Sequence, residues 1–351
     1  NLHAGKGSLE ELRGEVDRAR AKRAFVVCGK SVARKTDLIA RVTANLGDKC
    51  AGVFDGVEVS SPLPAVREGV AAARKAGADL IVAVGGGSVI DTAKAVNLYT
   101  TYPPEDFLDY VNPPIGKGKP VPGPLKPLIA VPTTAGTGSE TTGVSIFDLS
   151  KMHAKTGIAN RRLKPTLGIL DPDNTRSMPA QVAASSGLDI LSHAIESYTA
   201  LPYAERALPE QPHLRPAYQG SNPISDVWSL QALRMVDRYL VRAVEDPGDD
   251  QARGAMILAA SYAGVGFGNA GVHLPHGMSY PVSGMVRDYS APGYNAEHPL
   301  VPHGMSVILN APAVFRFTVL VGKQAGADLH DAAVRVLSRQ EIGRASCRER
   351  V

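Results

Sequence analysis

"DLIVAVGGGSVIDTAKAV", residues 79–96, decides how the first half of this chain folds. Five apolar residues run from Leu80 to Val84, reach three glycines, and pass into a helix-forming segment. Strand, glycine turn and helix in that order build a parallel sheet with crossover helices. Working outward, "RAFVVCGK" (23–30) and "CAGVFDG" (50–56) are predicted as two earlier strands. "VARKTDLIARVTANLG" (32–47) and "LPAVREGVAAARKAGA" (63–78) are predicted as the helices joining them. A Pro/Gly-rich loop then leads to a further strand, "LIAVPTT" (128–134). From Pro179 the segments become long, Ala/Leu-rich and helical, as in "SDVWSLQALRMVDRYLVRAVED" (225–246). An α/β domain over residues 1–178 and an all-α domain over 179–340 are therefore expected. "EIGRASCRERV" (341–351) abandons the preceding apolar rhythm and reads as a non-native tail.

The bulk properties exclude several classes. At 351 residues with 44% hydrophobic and 21% charged side chains, the composition is that of a globular protein with room for two cores. A net charge of +4 without a basic block gives no reason to expect nucleic acid as a partner. No apolar run approaches the roughly 18 residues of a membrane span, so no membrane partner is expected. Three cysteines in no pattern argue for a reducing compartment. A cytoplasmic location is expected, or the mitochondrial matrix if a targeting peptide is missing from the chain.

Two loops carry the first chemistry. Gly86 and Gly87 permit close backbone approach, and Ser88 with the first helical amides can hold a pyrophosphate at the positive helix terminus. A tight turn without ligand is the alternative, since GGGS is not the GxGxxG fingerprint. "VPTTAGTGSET" (131–141) follows a second strand and adds the hydroxyls of Thr133, Thr134, Thr137 and Ser139. Two such loops at strand C-termini suggest a dinucleotide crevice. "GVGFGNAG" (264–271), deep in the helical half, reads instead as close helix packing.

The second chemistry lies in "GLDILSHAIESYTALPY" (187–203), where Asp189 and His193 at i and i+4 share one helical face. They form either a hydrogen-bonded buried pair or part of a metal site. His276 and His303 each sit in a Pro-His-Gly-Met context, where glycine can admit a ligand close to the backbone. One carboxylate and three imidazoles suit a borderline divalent cation such as Fe²⁺ or Zn²⁺. His273 and His298 are read as packing or surface residues.

GGGSxxDxAK, PTTAGTGSE, the Asp189/His193 helix, His276 and His303 occur together in the order seen in iron-containing alcohol dehydrogenases, and the chain resembles that family from about Arg23 to Thr318. The resemblance implies a dehydroquinate-synthase-like fold: a Rossmann-like domain, a helical domain and a cleft between them. It implies Asp189, His193, His276 and His303 as metal ligands. Gly86, Gly87, Ser88, Asp91, Thr133, Thr134 and Thr137 would line NAD or NADP, with Lys155 at the ribose. Around "RPAYQGSNPISD" (215–226) and Tyr280 the chain is similar to the hydroxyacid-oxoacid transhydrogenase branch, which implies 4-hydroxybutyrate with 2-oxoglutarate as the substrate pair. Tyr280 stands where many members of the family place a further histidine. Its hydroxyl would orient substrate or join the proton path, or its ring would only pack on nicotinamide. Arg215 is the candidate for gripping a substrate carboxylate, or it only tethers its loop; Arg161 and Arg162 are rivals. Gly29 stands where many NAD-preferring relatives carry Asp, so nothing there is expected to repel a 2′-phosphate, and Lys30 or Arg34 is expected to attract one. A homo-oligomer is expected, and relatives continue past this chain's end. An ordinary NAD(P)-dependent alcohol dehydrogenase, and more distantly a lyase of the dehydroquinate-synthase type, are the other enzymatic readings. A structural metal protein is disfavoured because closed zinc sites usually contain cysteine.

Overall fold

The structure, a computed structural model, describes residues 1–59, 63–149, 154–211, 215–294 and 299–324. His298 and the tail at 341–351 lie outside the described residues.

The chain opens with β1 (Leu2–Ala4) and α1 (Leu12–Arg18), then β2 (Ala24–Gly29), α2 (Lys30–Lys35) and α3 (Leu38–Leu46). β3 (Cys50–Val57), α4 (Leu63–Lys75), β4 (Leu80–Gly85), α5 (Gly87–Thr101) and β5 (Leu128–Pro132) follow. β6 (Val144–Leu149) and β7 (Ala154–Ala159) pair antiparallel as a separate two-stranded sheet, and β8 (Leu167–Leu170) returns to the main one. That main sheet is parallel, in the order β1-β8-β5-β4-β2-β3. β2 has β3 on one side and β4 on the other, so the winding reverses there. Ligands of open α/β sheets bind at such a reversal, outside the strands' carboxyl ends.

β4 has an unbroken apolar sequence because both of its faces are covered. Leu80, Val82 and Val84 join a core with Leu12, Val16, Leu38 and Val42, whereas Ile81 and Ala83 face Ala73, Ile90 and Ala93. The helix expected over 32–47 is broken at Thr36, whose backbone is extended (φ −134°, ψ 162°). The Thr36 hydroxyl accepts a hydrogen bond from the Leu38 amide, so the side chain caps the second helix at the point where the first stops. The β6–β7 hairpin and β1 were not anticipated from sequence.

Beyond β8 the described regular elements are helical: α6 (Ala180–Thr199), α7 (Pro223–Glu245), α8 (Asp250–Ala270), α9 (Leu274–Gly284), α10 (His303–Ile308) and α11 (Ala311–Gln324). α6, α7 and α8 enclose a second core around Ile190, Leu233, Val236 and Ile257. An α/β Rossmann-like unit is thus joined to a helical one. The spaced glycines of α8 do pack closely: a Cβ on Gly264 would lie 2.2 Å from Thr141 Oγ1, and one on Gly266 2.3 Å from Ser229 Oγ.

The glycines after His276 and His303 differ. Gly277 faces open space, whereas a Cβ on Gly304 would lie 1.9 Å from the Ser185 carbonyl oxygen. Gly304 therefore lets α10 touch the backbone of α6, and helix contact rather than ligand access explains it. Gly304→Ala should destabilise the protein by about 1–3 kcal/mol, because the backbone it meets cannot rotate away. Gly277→Ala should stay within about 0.5 kcal/mol of wild type. Urea midpoints check this, and similar midpoints for both variants would contradict it.

Candidate metal centre and cofactor cleft

Asp189 and His193 face inward from α6, His276 stands in the first turn of α9, and His303 starts α10. One ligand atom from each lies within 4.8 Å of the other three. Asp189 Oδ1 is the hub, 3.5 Å from His276 Nε2 and 3.7 Å from both His193 Nδ1 and His303 Nε2. Asp189, His193 and His276 are almost wholly buried. Asp189 Oδ1, His193 Nδ1 and His276 Nε2 nevertheless have no hydrogen-bond partner. Buried polar atoms are rarely left so. Three of them converging with a fourth nitrogen fit a divalent cation, and an O/N donor set without sulfur suits iron or zinc.

Electrostatics point the same way. Burial disfavours the Asp189 carboxylate, but the surrounding imidazoles outweigh it and hold its pKa well below the usual range. Burial pushes His193 down to about 3 and His303 to about 4. Both rings are thus neutral, the form in which imidazole binds metal.

His276 depends on a residue that sequence reasoning passed over. Glu196, fully buried, accepts a hydrogen bond from His276 Nδ1 at 2.6 Å and from the His273 amide at 2.7 Å. Burial opposes charge on His276, but Glu196 and Asp189 outweigh it and raise its pKa to about 9. A cation at the centre would therefore replace the proton on Nε2 while Nδ1–H stays on Glu196. Glu196 lies seven residues after Asp189 in the stretch that had been singled out, two turns along one face. That spacing was a usable signal. His273 packs, as expected: its Nε2 lies 2.9 Å from Thr199 Oγ1 and its ring meets Phe315 edge-on. Phe267 stacks on His193 with centroids 4.0 Å apart.

The two glycine-bearing loops meet. A Cβ on Gly86 would lie 2.9 Å from Thr134 Oγ1, and one on Gly87 2.5 Å from Thr137 Cγ2. The N-cap of α5, Gly86, carries no side-chain cap, so an anion there would meet the positive end of the helix. Ser88 lies in that first turn, and the Thr133 amide donates to the Gly85 carbonyl. This cradle fits a pyrophosphate. Asp91 is held by its own protein: Oδ1 accepts from Ser139 Oγ at 2.5 Å and lies 3.4 Å from buried Lys94 Nζ, and Oδ2 accepts from the Ile146 amide at 2.9 Å. Asp91 braces the cleft wall.

Lys155 on β7 lies 3.9 Å from Asp148 and close enough to His303 to help depress its pKa. Lys30, expected to attract a 2′-phosphate, pairs with the Glu58 carboxylate at 2.5 Å. Tyr280 sits one helical turn after His276. Its phenol pKa is raised by burial, then by the charges of Asp91, Glu196 and Asp189. Arg215, Arg161 and Arg162 are exposed. Tyr218, from the same segment as Arg215, has its phenol pKa raised by burial, then by Tyr280 and the charges of Asp91 and Glu196.

A doubly wound sheet with a phosphate cradle, joined to helices bearing an Asp/His centre, defines a nicotinamide-type metal-dependent oxidoreductase architecture. The chain belongs to the iron-containing alcohol dehydrogenase family. The model "Iron-containing alcohol dehydrogenase" matches residues 1–172, and "Fe-containing alcohol dehydrogenase family, C-terminal" matches 217–347. The chain is 52% identical over 351 residues to the mitochondrial hydroxyacid-oxoacid transhydrogenase of Xenopus tropicalis, covering 98% of this chain and 75% of that protein. It is 61% identical over 267 residues to the mitochondrial enzyme of the same name from Homo sapiens, covering 76% of this chain and 57% of that protein. Among solved structures, sulfoacetaldehyde reductase from Bifidobacterium kashiwanohense in complex with NAD+ is 27% identical with a TM-score of 0.75, covering 96% of this chain and 84% of that one. The names place the transhydrogenase relatives in mitochondria, the alternative location expected, and give no support to the cytoplasmic one.

Glu196→Gln should lower metal affinity by about 10–100-fold, the usual effect of losing such an outer carboxylate. His276→Ala and His303→Ala should lose metal outright, and His273→Ala should keep it. Metal analysis after dialysis against graded chelator reads all four. Metal loss in His273→Ala with retention in His276→Ala would reverse the ligand assignment.

Proposed function

We propose that this chain moves a hydride from a hydroxyacid to an oxoacid, with 4-hydroxybutyrate and 2-oxoglutarate as the pair, by way of a nicotinamide dinucleotide that stays bound between the two half-reactions. The observation that carries the reading is the centre of buried Asp189, His193 and His276 with half-buried His303, in a chain that also carries the Gly86–Thr134 and Gly87–Thr137 cradle. Similarity to transhydrogenases supports the choice of substrate class over simple alcohols. The four residues are the proposed ligands of one divalent ion, iron, with zinc as the alternative. The two units divide near residue 178, and the proposed location is mitochondrial.

When bound, the ion would polarise the substrate oxygen as a Lewis acid and the nicotinamide would take and return the hydride. The chain's own residues set the geometry. Glu196 fixes the tautomer of His276 and Phe267 fixes the plane of His193. Gly86, Gly87, Ser88, Thr133, Thr134 and Thr137 hold the dinucleotide while Asp91 keeps its wall in place. Tyr280 stays protonated and donates a hydrogen bond to the substrate. Lys155 supplies a positive charge near the ribose, and Arg215 grips the substrate carboxylate with two parallel hydrogen bonds. Oxidation of the hydroxyacid releases a hydride and a proton, and reduction of the oxoacid takes both back. With Gly29 closing β2 where many NAD-preferring relatives carry Asp, and Glu58 paired with Lys30 rather than left to repel a 2′-phosphate, NADP is accepted alongside NAD.

Purified enzyme should oxidise 4-hydroxybutyrate when 2-oxoglutarate is present and no free cofactor is added. Turnover wholly dependent on added NAD(P), with no response to 2-oxoglutarate, would return it to the ordinary alcohol dehydrogenases. Tyr280→Phe should lower kcat by about tenfold or more, within the span of positioned proton donors. Arg215→Ala should raise KM for hydroxyacids and spare simple alcohols. An unchanged pH–rate profile and kcat in Tyr280→Phe would remove its hydroxyl from the mechanism.

A further inference from the structure

Among the described residues, Arg253 is the largest of the fully buried side chains, at 2% exposure. A guanidinium carries five N–H donors and keeps its charge throughout the physiological range. Nη1 donates to the Thr175 carbonyl at 3.2 Å, whereas Nε and Nη2 have no hydrogen-bond partner. The carboxylates next to it in sequence are engaged elsewhere: Asp249 pairs with Arg242, and Asp250 with Lys6 and Arg176. Asp246, whose charge reaches Arg253, is exposed. Arg253 also stands in the first turn of α8, so the positive end of that helix adds to its charge. A buried charge without a partner is strongly unfavourable, and this one calls for a negative group.

Room for one lies beside it. Arg253 lines a cavity of about 10 Å³ with Ala135, Thr175, Leu240, Ala243 and Met256, a size that admits one water or an ion of similar size. That is too small for a substrate or a phosphate. Water is the poorer occupant, because it needs acceptors for its own two protons. The Thr175 carbonyl already accepts from the Met178 amide at 3.0 Å and from Arg253. The Thr175 hydroxyl gives its proton to the Pro172 carbonyl, and its oxygen can receive at most one of the two. A halide only accepts, and it also cancels the charge. Chloride is the commonest anion of that size and charge.

The cavity sits where several elements meet. Ala135 belongs to the loop after β5 and Thr175 to the turn after β8, while α7 supplies Leu240 and Ala243 and α8 supplies Arg253 and Met256. We propose that Arg253 holds a buried chloride ion, which neutralises it and fastens the helical unit to the loops of the α/β unit. Metal-loaded enzyme is melted at fixed ionic strength while chloride replaces gluconate, and crystals grown in bromide are measured by anomalous diffraction. Unfolding releases the ion, so Tm should rise by about 2–5 °C over a roughly thousandfold range of chloride. A bromide peak should stand in contact with Nε and Nη2. Arg253→Met, similar in length but uncharged, should lose both the peak and the chloride dependence. A cavity without an anomalous peak, or a Tm indifferent to chloride, would overturn the proposal. So would an undiminished chloride dependence in Arg253→Met, the result expected if the halide binds the metal ion instead. Should Arg253→Met fail to fold, the diffraction and melting of the unmutated enzyme still decide.

Discussion

Asp189 sets the constraint on which the helical unit depends. Its carboxylate is 2% exposed, and a charge taken that far from water is costly unless something of opposite sign completes it. Its nearest polar neighbours are imidazoles, two of them held neutral by the same burial. Three converging buried atoms are left unmet. In isolation that arrangement loses stability at every atom; around a cation the same atoms become ligands. Placing them requires α6, α9 and α10 to meet at one point. Gly304 against the Ser185 carbonyl and Glu196 against His276 are the contacts that bring them there.

The cofactor side is tied to the same point through one loop. After β5, a Cβ on Gly136 would lie 2.9 Å from Ser186 Cβ in α6, and one on Gly138, whose φ of 58° is left-handed, would lie 2.5 Å from the Ala260 carbonyl in α8. Thr134 and Thr137 of that loop meet Gly86 and Gly87 on their other side. The loop thus touches the start of α5, the metal-bearing helix and α8 at once. Distances between a hydride donor and acceptor must be held closely for transfer. A loop wedged between three elements by backbone contacts has little freedom to vary them.

How much of this was legible in the sequence follows from the range of the interactions involved. The β2, β4 and β5 strands were readable because burial on both faces writes itself as an unbroken apolar run. Asp189 and His193 were readable because one helical turn relates them. Glu196 obeys the same local rule and was missed only because a glutamate on an exposed helix looks identical. Tyr218 was not readable at all. Its place depends on which distant element closes over it, the end of α8 at Gly271. The Thr36 break was hidden because a threonine inside a helical pattern reveals its capping role only when the next amide is seen to turn toward it.

Tyr280 bears on why a hydride exchange between two acids suits this site better than release of reducing equivalents. A histidine one turn after His276 would titrate near neutral pH and could pass a proton outward with each oxidation. A phenol cannot. Burial and the nearby carboxylates raise its pKa above the ordinary value, so it remains a donor throughout the physiological range. Tyr218 is pushed the same way, chiefly by burial. A cleft flanked by two phenols that hold their protons is poorly suited to a reaction that must export one proton per turnover. It suits a cycle in which the second substrate takes up what the first gave, hydride and proton alike.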